Sequence, residues 1–343
     1  MLYFVLLSLL GTSLAALTID SAIDGDDDDD ENTSSGDDNI VEGTNNPDIL
    51  EAAQNQTVNG YAGNDTIEAT GGNAVINGNS GSDSLSSGYD LNVTLNGNGG
   101  SDQIILQANG PDDQAAAFGG FGNDTIIAFG QGGTVDGGEG KDLIYAQGSL
   151  NSVSGGGGND TIFGDSADYG GGTPIYGNAG NDIIVLANSP SFQIGAIADG
   201  GAGNNRIEAS TYLNSADSFD TLTGGNGEDR FELLFAGLEF DSDSPDQGVV
   251  TTITDFVPGE DVLVLPLEIN TAGSGGDANI TFEIVQAGDD SYTDVIFSAV
   301  DPAATSTETA ITSTATIRLL GTTNLTIADV IQANLERSSF DDF

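Results

Sequence analysis

The sequence predicts an all-β chain, a parallel β-solenoid closed by a mostly β cap at its C-terminal end. The first observation is a loop of glycines and an acid that recurs nine times: GYAGND from Gly60, GNSGSD from Gly78, GNGGSD from Gly97, GGFGND from Gly119, GGEGKD from Gly137, GGGGND from Gly155, GNAGND from Gly177, GGAGNN from Gly200 and GGNGED from Gly224. Successive first glycines lie 18, 19, 22, 18, 18, 22, 23 and 24 residues apart, so the period is 18 with residues inserted. A fixed minimum with additions is the mark of stacked coils with variable connections.

The second observation is a pair of apolar columns at constant offsets from the loops. Two residues after the acid stand Ile67, Leu85, Ile104, Ile126, Ile144, Ile162, Ile184, Ile207 and Phe231. Two residues before the first glycine stand Val58, Ile76, Leu95, Ala117, Val135, Val153, Ile175, Ala198 and Leu222. Strand residues alternate between faces, so each coil has one strand leaving the acidic loop and one returning to it, each with a residue aimed inward. A second turn, such as ATGGNA from Ala69, joins them and lacks the acid at its sixth place. Length variation also falls in that half, as in QANGPDDQAAA and LANSPSFQIGA. Binding is therefore expected along one edge of the stack, with the opposite edge free to vary.

Third, the pattern changes beyond the ninth loop. Residues 249–267 (VVTTITDFVPGEDVLVLPL) read as two short strands around a Pro-Gly turn, and residues 314–332 (TATIRLLGTTNLTIADVIQ) as a strand followed by a short helix over about 326–334. A cap is required because an uncovered last coil exposes unpaired backbone groups and apolar side chains. Phe231, Leu233 and Phe235 mark where its core begins.

The organisation along the chain follows from these shifts. Residues 1–16, MLYFVLLSLLGTSLAA, form an apolar run ending in small residues and read as a secretion signal, with a retained membrane anchor as the alternative. Residues 17–38 include DGDDDDDENTSSGDD, too charged to bury anything, and read as a solvated linker. Residues 39–231 hold the repeats and residues 232–343 the cap.

Composition removes whole classes of function. With 54 acids against five bases the formal charge is −49, which excludes nucleic acid as a partner, and a membrane enters only if the N-terminal run is kept as an anchor. The chain has no Cys, His or Trp, so thiol nucleophiles, imidazole bases and nearly all zinc or haem sites are absent. What remains for chemistry is carboxylates, amides, hydroxyls and backbone oxygens.

Those groups suit a hard divalent cation. Glycines at loop positions one and four allow positive φ and let the backbone aim carbonyl oxygens inward, while the acid at position six adds a carboxylate. Oxygen ligands in a flexible site of six to eight are what a cation of calcium's size prefers. Coils of a stacked sheet lie about 4.8 Å apart, so like charges in adjacent loops repel by roughly 0.9 kcal/mol in water and about 3.5 at an effective dielectric of 20. Cations between the loops reverse that sign. The eighth loop ends in Asn205 rather than Asp, so its site should be weak or empty.

These loops resemble the nonapeptide GGxGxDxUx of RTX, or hemolysin-type, calcium-binding proteins, over most of residues 36–343. The resemblance implies a right-handed parallel β-roll with Ca2+ held between successive loops. Carried over by position, it assigns the carboxylates of Asp65, Asp83, Asp102, Asp124, Asp142, Asp160, Asp182 and Asp229, with backbone oxygens from positions such as Gly137, Gly155 and Gly158. Only alternate half-turns keep the acid here, which puts in doubt the second row of ions expected on the opposite edge. The C-terminal segment is similar to that of secreted RTX proteins, including serralysin-type proteases, where an export signal lies at this end; FDDF, residues 340–343, is compatible with one.

The function expected is calcium binding by a secreted or cell-surface β-roll with a structural role, and no enzymatic activity: HExxH is impossible without histidine and no GxSxG elbow is visible. The alternative is a polysaccharide-acting enzyme or carbohydrate-binding accessory, for which rows of exposed aromatic rings would be needed. Phe118, Phe121, Phe129, Tyr145, Phe163, Tyr169 and Tyr176 are scattered instead. An adhesin-like flat face of threonines is interrupted: Thr66, Thr125 and Thr161 recur after the acid, but Ser84, Gln103, Leu143 and Ile183 break the file.

Overall fold

A computed structural model describes residues 39–88, 92–110, 114–165, 172–187, 195–212, 220–236, 246–266, 268–270, 277–300 and 312–333. The expectations for residues 1–38 and for residues 340–343 fall outside this range.

The two apolar columns become the core of two facing sheets. Strands returning to the acidic loops, among them Thr57–Asn59, Val75–Ser80, Thr94–Gly99, Ala116–Phe121, Thr134–Glu139 and Ser152–Gly157, stack in one sheet. Strands leaving the loops, among them Thr66–Ala69, Gln103–Asn109, Thr125–Gln131, Leu143–Ser149 and Thr161–Asp165, stack in the other. All pairing within the repeats is parallel and in register with the loops: Ile126 lies beside Ile104 and Ile144, and Val135 beside Ala117 and Val153. Every residue of both columns is buried to within 1 %. A long connection is required between parallel neighbours, and here each crossover is simply the next strand of the opposite sheet.

The stack extends beyond both ends of the nine loops. Ile40–Glu42 and Ile49–Ala52 form a preceding coil, whose inward Val41 and Leu50 are only partly buried. Past Phe231, Asp246–Ile253 and Val262–Pro266 continue the two sheets in parallel, followed by Thr312–Leu320 in the first and Val330–Ala333 in the second. The first sheet then turns antiparallel through Tyr292–Val300, Asp277–Gln286 and Glu268–Asn270. Val295, Phe297, Ala315, Ile317 and Leu319 from this antiparallel part join the buried core, so the cap is mostly β as expected. Phe231 and Leu233 are fully buried, and Phe231 meets Phe256 at 6.0 Å between ring centroids. The side chain of Phe235 lies outside the description.

The helix expected over 326–334 shrinks to one 3₁₀ turn, Ile327–Asp329, and Val330–Ala333 is a strand. Thr326 and Asp329 form a capping box around that turn. Pairing with Leu263–Pro266 then takes the β-branched Val330 and Ile331 into the sheet. Tyr145 and Phe163 are not scattered: they occupy the same place on neighbouring strands and stack at 5.1 Å, 7° from coplanar.

Candidate metal centre

At the edge where the sheets are joined by the glycine–acid loops, each acid meets the loop before it. The backbone N–H of Asp65 donates to Asp83 Oδ1, that of Asp83 to Asp102, Asp102 to Asp124, Asp124 to Asp142, Asp142 to Asp160 and Asp160 to Asp182, each at 2.8 Å. The file continues through Asn205, Asp229 and Asp261 at 2.8–2.9 Å and begins one coil earlier, where Asp48 N–H donates to Asp65. Residues at position five run a second file in the opposite sense: Asn123 Oδ1 accepts from Lys141 N–H of the next coil, Asn159 from Asn181 and Asn181 from Asn204. Each coil is thus stitched to its neighbours in both directions, which fixes the carboxylates in place.

The second oxygen of each carboxylate is the unusual one. Oδ2 of Asp65, Asp83, Asp102, Asp124, Asp142, Asp160 and Asp182 is buried and receives no hydrogen bond. It lies in the space left by the missing side chain of the loop's own first glycine, where the next loop's first glycine also presents its carbonyl oxygen. A Cβ on Gly137 would sit 2.5 Å from Asp142 Oδ2 and 2.5 Å from the Gly155 oxygen; one on Gly155 would sit 2.6 Å from Asp160 Oδ2 and 3.0 Å from the Gly177 oxygen. Two acceptors converge with no hydrogen between them, an arrangement that a cation relieves.

The first glycine is therefore required for room. Positive φ falls instead at position two, as at Asn79 (72°) and Gly138 (101°), and at position four, as at Gly140 (138°) and Gly158 (126°). The expectation that both position one and position four need positive φ is corrected: position one keeps an ordinary backbone and is emptied for the two oxygens. Gly137 and Gly155 aim their oxygens at that space, whereas the Gly158 oxygen is directed at Gly180, the fourth glycine of the next loop. Gly137→Ala should abolish calcium-dependent ordering of its coil, read by hydrogen exchange. Gly288→Ala, where an added Cβ meets nothing within 4 Å, should leave it intact.

Burial, more than mutual repulsion, dominates the electrostatics. Asp102 and Asp142 are pushed up to about 7, first by loss of water, then by the neighbouring carboxylates, with the backbone N–H bond pulling the other way. Burial likewise raises Asp160 and Asp229 to about 6, and Asp65, Asp83, Asp124, Asp182 and Asp261 are raised for the same leading reason. Charge repulsion alone does not account for this, because these aspartates are 1–4 % exposed, which the sequence does not disclose. Among the described residues no three acidic side chains cluster as a carboxylate cage, so backbone oxygens must supply most of any coordination shell.

Two coils escaped the sequence reading. GTNNPD, residues 43–48, lacks the fourth glycine. DFVPGED, residues 255–261, lacks the first and is one residue longer, and Asp255 caps the N–H groups of Gly224 and Gly225. Leu50 and Leu263, each two residues after the acid, were the available signal.

Residues 53–85, 134–168 and 175–188 match the family profile of the RTX calcium-binding nonapeptide repeat, in four copies. No curated protein matches the chain. These stretches coincide with coils whose Oδ2 atoms lack donors, and they agree with the parallel topology. The chain carries RTX calcium-binding repeats, and its solenoid is a calcium-binding β-roll.

Proposed function

We propose that this is a secreted protein whose β-roll orders on meeting extracellular calcium and serves a structural role at a cell surface or in a matrix, without catalysis. The observation that carries the proposal is the row of seven buried carboxylate oxygens without donors. Asp65, Asp83, Asp102, Asp124, Asp142, Asp160 and Asp182 supply the carboxylates, and first-glycine oxygens such as those of Gly137 and Gly155 share the same space. Gly158 and Asp229 belong to the set by position in the repeat. Bound calcium supplies positive charge between the loops. The chain's own part is to hold each carboxylate by a hydrogen bond of 2.8–2.9 Å and to exclude water from it.

Secretion is supported by the coupling itself: extracellular calcium modules bind at about 10⁻⁴ to 10⁻³ M, so a roll of this kind orders where calcium is plentiful. Among the described residues no helix is long and apolar enough to cross a membrane. The polysaccharide reading has weaker support, since Phe163, stacked on Tyr145, is only 4 % exposed, and the exposed rings of Phe118 and Tyr176 are separated in their file by Asp136 and Ser154.

Replacing Asp124, Asp142 and Asp160 by Ala one at a time should raise the calcium midpoint for folding by about tenfold each, equivalent to about 1.4 kcal/mol. Glu283→Ala, at an exposed position of the cap strand Asp277–Gln286, should leave it unchanged. Equal shifts from both classes would contradict a site confined to the one edge.

A further inference from the structure

The row of donor-free oxygens stops at Asp182, and the residue that stops it is Asn205. Its Oδ1 accepts from Asp182 N–H at 2.9 Å, as every Asp in the file does, which fixes the orientation of the amide. Nδ2 therefore occupies the place held elsewhere by Oδ2: a Cβ on Gly200 would lie 2.7 Å from Nδ2 and 2.6 Å from the Gly224 oxygen. From there Nδ2 donates to the Gly224 oxygen at 3.1 Å and to the Gly203 oxygen at 3.3 Å. We infer that Asn205 is a hydrogen-bonded substitute for calcium, which closes the interval between the eighth and ninth loops to the ion.

The chemistry is the reverse of that in the preceding coils. There, a carboxylate oxygen and a glycine oxygen face each other and need a cation; here, an N–H joins the same pair of positions internally. A neutral amide also removes one negative charge from the row and one of the ligands a hard cation would need. The outermost loops are closed in a related way: Asp48 Oδ2 accepts from Thr44 N–H at 2.6 Å and from its hydroxyl at 3.0 Å, and Asp261 Oδ2 accepts from Val257 N–H at 2.7 Å. Protein donors thus serve these acids where the interior coils offer none. The inference rests on calcium as the ion of the interior coils.

The test is calcium stoichiometry and hydrogen exchange on the full chain. By equilibrium dialysis with calcium chloride, Asn205→Asp should bind one more ion per chain than the wild type, and Asn205→Ala the same number as the wild type. In the wild type, the amides of Asn205, Asn226 and Arg230, which bond across this joint, should keep their protection in chelator while those of Asp124 and Leu143 lose it. An unchanged ion count in Asn205→Asp, with calcium binding by the wild type intact, overturns the inference and leaves the calcium reading standing. Loss of protection at the joint in step with the interior coils overturns it too, and requires no variant to fold. Absence of any calcium binding by the wild type would defeat the underlying reading itself.

Discussion

At pH 7.5 in chelator the chain is expected to lose most of its β-sheet signal in far-ultraviolet circular dichroism, and millimolar calcium to restore it. Leaving one buried acceptor unsatisfied costs about 1–3 kcal/mol, more when it is charged. Seven such oxygens lie in consecutive coils, so the total reaches about 7–20 kcal/mol by the same measure, against a net stability of about 5–15 kcal/mol for an ordinary domain. Each coil sets against this two main inward side chains, and two of those positions, Ala117 and Ala198, are only alanine. Coils of a solenoid support one another through nearest-neighbour interfaces, and from Asp65 to Asp182 each such interface contains a donor-free carboxylate oxygen facing a glycine oxygen. A spectrum that stays the same when calcium is stripped would remove the calcium-coupled reading.

Acid should replace calcium. Because the buried aspartates titrate higher in the folded chain than in the unfolded one, the metal-free fold takes up protons as it forms. The stabilisation this brings is complete below about pH 4, the ordinary carboxylate range, and is lost as the pH climbs through the folded values of about 6 for Asp160 and about 7 for Asp102 and Asp142. In chelator the β signal should therefore return as the pH falls from 7.5 towards 5, and in calcium the midpoint concentration should rise over the same range as protons compete for the ligands. Acidification also relieves the general charge of −49, so Asp142→Asn provides the discriminating arm. An amide at that place should let the chain hold its structure in chelator at a higher pH than the wild type. If recovery waits until pH 4 and the variant behaves like the parent, burial of the aspartates does not control the fold.

The repeat made much of the architecture legible before any coordinates. A column must be apolar at constant offset if strands are to stack in register, and Ile67 through Phe231 and Val58 through Leu222 obey that rule without exception. The acids were legible for the same reason. Asp48 and Asp261 were missed because their loops break the glycine pattern while keeping the hydrogen-bonded position, and hydrogen bonding between coils is not written in local sequence. The sequence of Val330–Ala333 reads as part of a short helix; sheet pairing with Leu263–Pro266, nearly seventy residues away in sequence, decided otherwise.

By itself, then, the sequence determined the period, the two inward columns, the edge that bears the acids and the kind of ion they suit, because each of these repeats at fixed spacing and repetition survives without knowledge of distance. Only the tertiary structure decided why the first glycine must be glycine, which carboxylate oxygens lack a donor, and where an amide N–H stands in place of a carboxylate oxygen. Those depend on what the neighbouring coil brings to within 3 Å, as the Gly155 oxygen is brought to the empty side of Gly137 and Asn205 Nδ2 to the Gly224 oxygen. Burial completes the distinction: an aspartate such as Asp142, which would be an ordinary acid on an exposed turn, is pushed up to about 7 once the neighbouring coils have excluded its water.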